Sequence, residues 1–187
     1  MKTILLSLAA MLLLFPGCTK AQTNESTTKD TSKMLIVYYS RTGNTEAMAN
    51  RIQELTGADM FRVETVKPYP SDYTTTTEVA KEEKNNNARP TIKAKVENID
   101  QYDTVYIGFP IWWGTYPMAM ATFIEGHNLK GKTIIPFCTH GGGGVDQGFI
   151  DVKKRCPDSD VLDGLSIAGN SVKSKDKEIE EWVLSFR

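Results

Sequence analysis

A short turn rich in hydroxyl groups follows the apolar segment Met34–Tyr39, which predicts a buried strand. The apolar residues after the turn recur with helical spacing and predict a helix over Asn44–Thr56. The turn and the first residues of the helix are Ser40, Arg41, Thr42, Gly43, Asn44 and Thr45. Unpaired N–H groups at the start of a helix, together with hydroxyl donors, are suited to binding an anion. The Gly-Lys-Ser/Thr signature of nucleoside triphosphate sites does not occur here, so the turn predicts a site for a single phosphate group.

Aromatic residues follow a second apolar segment, Thr104–Phe109, which also predicts a strand. The loop after this strand begins with Pro110, Ile111, Trp112, Trp113 and Gly114. Aromatic side chains at the end of a strand can stack on a flat ring of a ligand. Neighbouring side chains of an extended backbone point to opposite sides, so we expect one tryptophan to stack and the other to pack under the loop or face solvent.

A loop with almost no side chains follows a third predicted strand, Thr133–Cys138. The loop consists of Thr139, His140, Gly141, Gly142, Gly143 and Gly144. Successive glycines cost conformational entropy on folding, and they are useful where a ligand lies against the main chain. Because parallel strands end at the same edge of a sheet, the three loops predict one ligand site at that edge.

The remaining elements predict an α/β fold, a doubly wound five-stranded parallel sheet that lies between helices. A short second strand is predicted over Asp59–Val63, and a fifth strand over Asp160–Leu162 that resumes over Leu165–Ala168. The predicted helices are Ser71–Ala88 with Ser71 as its cap, Pro117–Glu125, Val145–Arg155 and Lys173–Phe186. The first of these contains threonine and asparagine runs that form helices poorly, so its pattern is the weakest.

The three loops, in this order and spacing, resemble the cofactor-binding loops of flavodoxins, and the resemblance covers residues 34–187. It implies the strand order 2-1-3-4-5, the short-chain type of the family, and FMN as the cofactor. It also implies that residues 40–45 hold the phosphate and that residues 110–114 flank the isoalloxazine ring. Residues 139–143 would contact the pyrimidine edge of that ring. The paired tryptophans and the His-Gly-Gly sequence resemble one branch of the flavodoxin-like proteins.

Two residues carry further expectations from this resemblance. Gly114 resembles the glycine whose carbonyl turns toward the reduced flavin in flavodoxins, although an ordinary turn glycine would look the same in the sequence. His140 would raise the reduction potential if it were protonated, or it would only brace its loop through a hydrogen bond. Backbone N–H groups of the glycine loop would stabilise the negative charge of reduced flavin.

The N-terminal residues differ in composition from the rest of the chain. An apolar run of twelve residues, Ile4–Phe15, is too short to span a bilayer but suits the core of a signal peptide. The Leu-Phe-Pro-Gly-Cys sequence that follows resembles a bacterial lipobox. We therefore predict a signal peptide over residues 1–17, a lipid anchor on Cys18 and a flexible polar tether over residues 18–33. The lipobox is not of the commonest type, so cleavage after Ala21 and release of a free protein is the alternative.

Composition and charge exclude some functional classes. The chain has 187 residues and a net charge of −1, so it offers no basic surface for nucleic acid. Its two histidines do not lie in a metal-ligand pattern, and we predict no metal site. Flavodoxins are typically more acidic, which puts the steering of partners by charge in doubt. Cys138 and Cys156 are expected to be free, because the predicted fold places them at opposite edges of the sheet.

The resemblance favours an FMN-containing electron-transfer protein that is exported and anchored at the bacterial cell envelope through Cys18, on the periplasmic or outer face. Its partner would be a redox protein or the quinone pool. The alternative is an FMN-dependent NAD(P)H:quinone oxidoreductase, which we rank second because the sequence contains no recognisable nicotinamide site. A flavin-free interaction domain on the same architecture would need acidic residues at the strand ends, and none follows Tyr39 or Phe109.

Overall fold

The computed structural model of the protein describes residues 33–145 and 147–186. The predicted signal peptide, the lipid anchor on Cys18 and the tether as far as Ser32 lie outside these residues and stay predictions. The strands are β1 (Met34–Tyr38), β2 (Asp59–Arg62), β3 (Thr104–Pro110), β4 (Thr133–His140), β5 (Asp160–Val161) and β6 (Leu165–Ala168). The α-helices are α1 (Asn44–Thr56), α2 (Tyr73–Asn85), α3 (Met118–Glu125), α4 (Gly148–Arg155) and α5 (Asp176–Leu184). None of the helices in the described ranges has the length and apolar character that crossing a bilayer requires.

All strands of the sheet are parallel to their neighbours, and their order is β2-β1-β3-β4-β5. Strand β5 pairs with the start of β4, where Asp160 lies opposite Thr133. Strand β6 pairs with the end of β4, where Ala168 lies opposite His140. The two short strands thus act as one interrupted fifth strand, and the predicted fold and strand order are confirmed.

Several element boundaries differ from the sequence prediction, mostly by one to three residues, and those of β4, α4 and α5 are examples. Strand β4 continues past Cys138 to His140, because β6 pairs with residues 137–140 and extends the ladder. Helix α4 begins at Gly148 instead of Val145. Helix α5 begins at Asp176, because residues 169–174 form a 3₁₀-helix instead of its first turn.

Helix α2 is capped by Asp72, so the prediction of Ser71 as its cap is wrong. The Asp72 carboxylate accepts the N–H group of Thr75 at 2.7 Å and the Thr75 hydroxyl at 2.8 Å. A carboxylate forms a stronger, charge-assisted bond with an N–H group than a serine hydroxyl does. The backbone therefore turns into the helix one residue later than predicted.

Both faces of the sheet are buried, as expected for parallel strands covered by helices. On one face, Ile36 and Tyr106 pack in a cluster with residues of α1 and α5, including Ile179. On the other face, Val37 packs with residues of α3 and α4, including Phe123. Neighbouring residues of β1 therefore serve opposite sides of the sheet. The sheet and the helices on its two faces thus form three packed layers, and these layers position the loops at the carboxyl edge of the sheet.

A close approach between β3 and β4 occurs at Gly108. Gly108 lies opposite Phe137, and a Cβ atom on Gly108 would lie 2.1 Å from Cζ of the phenyl ring. Phe137 is fully buried. The ring therefore occupies the space that any side chain at position 108 would need.

The segment that carries α2 is closed at its base by antiparallel pairing. The N–H group of Val66 donates to the carbonyl of Thr91, and the N–H group of Lys93 donates to the carbonyl of Glu64, both at 2.8 Å. An isolated bridge joins Thr65 to Ile92. Because this pairing holds both ends of the segment together, it fixes the position where the chain leaves for α2 and returns from it.

Cys138 and Cys156 are buried and free. Burial raises the pKa of each thiol to about 11. At neutral pH both groups are protonated, and a protonated thiol is a weak nucleophile. Both side chains serve as apolar filling of the core.

The imidazole of His127 connects α3 to the loop before β3. Its Nε2 accepts the N–H group of Val96 at 3.0 Å, and its Nδ1 lies 2.7 Å from the carbonyl of Phe123. Nε2 can accept only when it carries no proton, so the two contacts require the neutral ring with the proton on Nδ1. Burial lowers the pKa of His127, which favours this neutral form.

Protonation of His127 is expected to destabilise the fold by about 1 kcal/mol, because Nε2 can then no longer accept the Val96 N–H group. The pKa is lower in the folded chain than the unfolded value of about 6.5. The stabilisation is therefore fully present above that value and is lost as the pH falls through the folded pKa. Urea unfolding over this pH range measures it, and His127→Gln should remove this part of the pH dependence. An unchanged pH dependence in that variant would contradict the assignment.

Candidate functional site

A cavity of about 810 Å³ opens at the carboxyl edge of the sheet, where the loops after β1, β3 and β4 meet. The residues predicted from the sequence that line it are Arg41, Thr42, Asn44, Thr45, Pro110, Ile111, Trp112, Trp113, Thr139, His140, Gly141 and Gly142. The structure brings these twelve residues from three distant parts of the chain to one place. Ser40, Gly43, Gly114 and Gly143 belong to the same loops but do not line the cavity.

The turn between β1 and α1 leaves the start of the helix open to a ligand. Gly43 is the N-cap of α1, its φ is 88°, and no side chain caps the helix. The N–H group of Gly43 donates to the buried Ser40 hydroxyl at 3.2 Å, so Ser40 braces the turn from below. The first N–H groups of a helix have no partner within it, and here no side chain replaces that partner. This end of the cavity therefore suits an anionic group.

A pair of buried threonines joins two of the loops behind this helix start. The Thr45 and Thr139 hydroxyl oxygens lie 2.8 Å apart, and both side chains are at least 95% buried. One hydroxyl donates to the other, which leaves one proton that can point toward a ligand. The pair also fixes the distance between α1 and the end of β4.

The side chain of Arg41 points away from the centre of this turn. Its Nη2 donates to the carbonyl of Ser71 at 2.6 Å, just before α2. Arg41 still lines the cavity and so contributes a positively charged residue to its wall. Among the described residues that line the cavity, none carries a carboxylate.

The two tryptophans occupy different environments. Trp112 packs edge-on against Tyr39 and Tyr69, with ring centroids at 5.5 Å and 5.0 Å. Tyr69 is itself fixed, because its hydroxyl donates to Glu83 at 2.7 Å. Trp113 lines the cavity with 46% of its surface exposed. Both tryptophans line the cavity, and Trp113 is the more exposed of the two and so the better candidate for stacking on a ligand.

The backbone of this loop is a tight turn, so the extended backbone assumed from the sequence is wrong here. The N–H group of Trp112 donates to the carbonyl of Thr115 at 2.7 Å, and the N–H group of Thr115 donates back at 3.2 Å. Trp113 and Gly114 have φ values of 51° and 83°, as in a type I′ turn. The Gly114 carbonyl accepts the N–H group of Gln147 at 2.9 Å, which joins the turn to the residue before α4.

The glycine loop is held at its start by His140, whose Nδ1 accepts the N–H group of Gly142 at 3.0 Å. This bond is the bracing contact that the sequence left open as one role of His140. Gly142 has a φ of 123°, a conformation that favours glycine. A Cβ atom at Gly141 or Gly143 would meet nothing within 4 Å. There is therefore open space beside the loop at these two glycines.

Two groups of lining residues were missed by the sequence analysis. The first is one face of α2, formed by Tyr73, Thr76, Thr77 and Ala80. Their spacing of three and four residues marks a helix face, but this face is polar and gave no apolar stripe. The second group is Ala168, Gly169 and Asn170, where β6 ends at the same edge as the other strands.

The described parts of the chain contain no group of three His, Cys, Asp or Glu residues that could hold a metal ion. A cavity that combines an uncapped helix start, an exposed indole and a glycine loop fits a ligand with a phosphate and a flat ring system.

The chain is similar to known flavodoxins and flavoproteins in sequence and in fold. The flavodoxin family model matches residues 33–186. No curated relative matches the sequence. A solved structure of a provisionally identified flavoprotein from Bacteroides eggerthii is 36% identical, covers 79% of this chain and 98% of its own, and superimposes with a TM-score of 0.67.

Two further solved structures share the fold. A provisionally identified flavoprotein from Bacteroides uniformis is 28% identical, with a TM-score of 0.70 over 81% of this chain and 97% of its own. A flavoprotein from Lactobacillus acidophilus, solved in complex with FMN, is 23% identical, with a TM-score of 0.64 over 76% of this chain and 97% of its own. At that identity the likeness to the last structure concerns the fold alone.

Proposed function

The chain belongs to the flavodoxin family, and on that premise we propose that it binds FMN and transfers electrons at the bacterial cell envelope. The observation that carries the proposal is the cavity itself. It combines the open start of α1 at one end with the exposed ring of Trp113 along its wall. These are the two features that recognise the two ends of FMN, its phosphate and its isoalloxazine ring.

Different residues of the chain would bind the phosphate and the ring system of FMN. The first N–H groups of α1 and the hydroxyl groups of Thr42 and Thr45 would hold the phosphate. Trp113 would stack on the ring system, and main-chain N–H groups of Gly141 and Gly142 would contact its polar edge. Bound FMN supplies the redox chemistry, while the protein supplies binding, orientation and electrostatics.

Titration of the purified full chain with FMN tests the proposal. We expect quenching of flavin fluorescence that saturates at one FMN per chain. Riboflavin, which lacks the phosphate, should bind more weakly because the open start of α1 then has no anion to bind. A folded protein that binds neither flavin would overturn the proposal. We do not propose the reductase alternative, since no feature of the described residues favours a nicotinamide site.

We also propose that Cys18 carries a lipid that anchors the protein in the envelope, where a redox protein or the quinone pool would be its partner. The proposal rests on the apolar run and the lipobox-like sequence that precede Cys18. Cells fed a labelled fatty acid should transfer label to the wild-type protein and none to Cys18→Ala. Secretion of unlabelled wild-type protein would support cleavage after Ala21 instead.

A further inference from the structure

Helix α2 holds Trp113 through three contacts from one stripe of the helix. The indole Nε1 donates to the carbonyl of Thr77 at 2.8 Å. The Lys81 ammonium group lies 4.9 Å from the centroid of the indole ring, and the Lys84 ammonium group donates to the Trp113 carbonyl at 2.5 Å. Residues 77, 81 and 84 follow one another at four and three positions and therefore share one face of the helix. We call these three residues the α2 clamp.

The contacts of the α2 clamp position Trp113, whose backbone conformation is unusual. Trp113 has a positive φ of 51°, which is uncommon for a bulky side chain. It remains 46% exposed although its indole N–H, its carbonyl and its ring all have partners. The α2 clamp thus fixes the ring without burying it, which keeps part of the indole surface open to the cavity.

A cation beside an aromatic ring is attracted by the negative face of that ring. Lys81 provides such a cation at Trp113, and Trp113 lines the cavity. A flavin stacked on the opposite face of the indole would therefore be separated from the Lys81 charge by the thickness of one ring. No carboxylate from the described lining residues opposes this charge inside the cavity.

We propose that Lys81 is a tuning residue that makes the reduction potential of bound FMN less negative, through the indole ring of Trp113. This inference rests on the proposed function, because it requires FMN in the cavity. Reduction adds electrons to the flavin and makes it more negative. A fixed positive charge nearby therefore favours the reduced form over the oxidised form by Coulomb attraction.

The test compares the dissociation constants of oxidised and reduced FMN on the full chain. Lys81→Gln should lower the preference for reduced FMN about threefold, since the charge lies near solvent and is partly screened. Lys81→Arg keeps the charge and should keep the preference. Lys177→Gln, a change of equal charge on exposed α5, should have no effect. The difference between wild type and Lys81→Gln should shrink at high salt, which a purely structural role of Lys81 would not produce.

Failure of the inference about Lys81 and failure of the proposed FMN binding give different results in this test. If FMN binds and Lys81→Gln has the wild-type preference, the role of Lys81 is overturned and the proposed function stands. If Lys81→Gln and Lys177→Gln lower the preference equally, net charge and not the position of Lys81 is responsible, and the inference is again overturned. If no version of the protein binds FMN, the inference falls together with the proposed function.

Discussion

Replacing Trp113 with alanine is expected to weaken FMN binding about 50-fold, because the flat ring of the cofactor loses its stacking partner. Stacking of an aromatic side chain on a base-like ring contributes about 1–3 kcal/mol, and about 1.4 kcal/mol corresponds to a factor of ten in affinity. Trp113 lines the cavity and is exposed, so truncation removes ligand contact and little core packing. Fluorescence titration with FMN measures the loss.

Two controls identify the cause of this loss. Riboflavin has the same ring, so Trp113→Ala should weaken riboflavin and FMN by the same factor. Trp112→Phe should change FMN affinity much less, since Trp112 also lines the cavity but packs edge-on against Tyr39 and Tyr69, and phenylalanine keeps an aromatic ring there. An equal loss for Trp112→Phe and Trp113→Ala, or no loss for Trp113→Ala, would show that Trp113 does not stack on the flavin.

Gly108→Ala is expected to destabilise the fold by about 3 kcal/mol, at the upper end of the cost of overpacking a core. The new methyl group would lie 2.1 Å from the ring of Phe137. That ring is fully buried in the core cluster that also contains Ile36 and Tyr106, so its movement would disturb packed neighbours. Urea unfolding measures the change in the free energy of unfolding.

A double-mutant cycle tests whether the contact with Phe137 is the cause. Phe137→Leu replaces the phenyl ring with a smaller aliphatic group, so Gly108→Ala should cost at least about 1 kcal/mol less in that background. Gly143→Ala is the matched control, because a Cβ atom there meets nothing within 4 Å, and its effect should stay within about 0.5 kcal/mol. Additive costs of Gly108→Ala and Phe137→Leu would contradict the proposed clash.

The sequence predicted the central part of the fold well because its signals are local and strong. Helix α1 occupies the predicted range Asn44–Thr56, where an apolar stripe lies between two glycines that mark its ends. The apolar runs of β1 and β3 are long enough to identify buried strands. Once strands and helices alternate, the parallel arrangement brings their carboxyl ends together without further information.

What the sequence did not reveal depends on contacts between distant segments. The face of α2 that lines the cavity is rich in threonine, and its helical form depends on the Asp72 cap and on contacts with Trp113. The end of β4 depends on pairing with β6. The exposure of Trp113 depends on the type I′ turn. A positive φ usually marks a glycine, and here it occurs at a tryptophan, so the sequence did not predict this turn.

The short outer strands of the sheet are expected to limit edge-to-edge aggregation of the protein at high concentration. Strand β2 has four residues, and the fifth strand is divided into β5 with two residues and β6 with four. Sheets aggregate edge to edge when an outer strand offers a long, flat row of unpaired N–H and C=O groups. Neither edge of this sheet offers such a row. If the proposed anchor on Cys18 holds copies of the protein close together on a membrane, the edges formed by the described strands would not favour joining of their sheets.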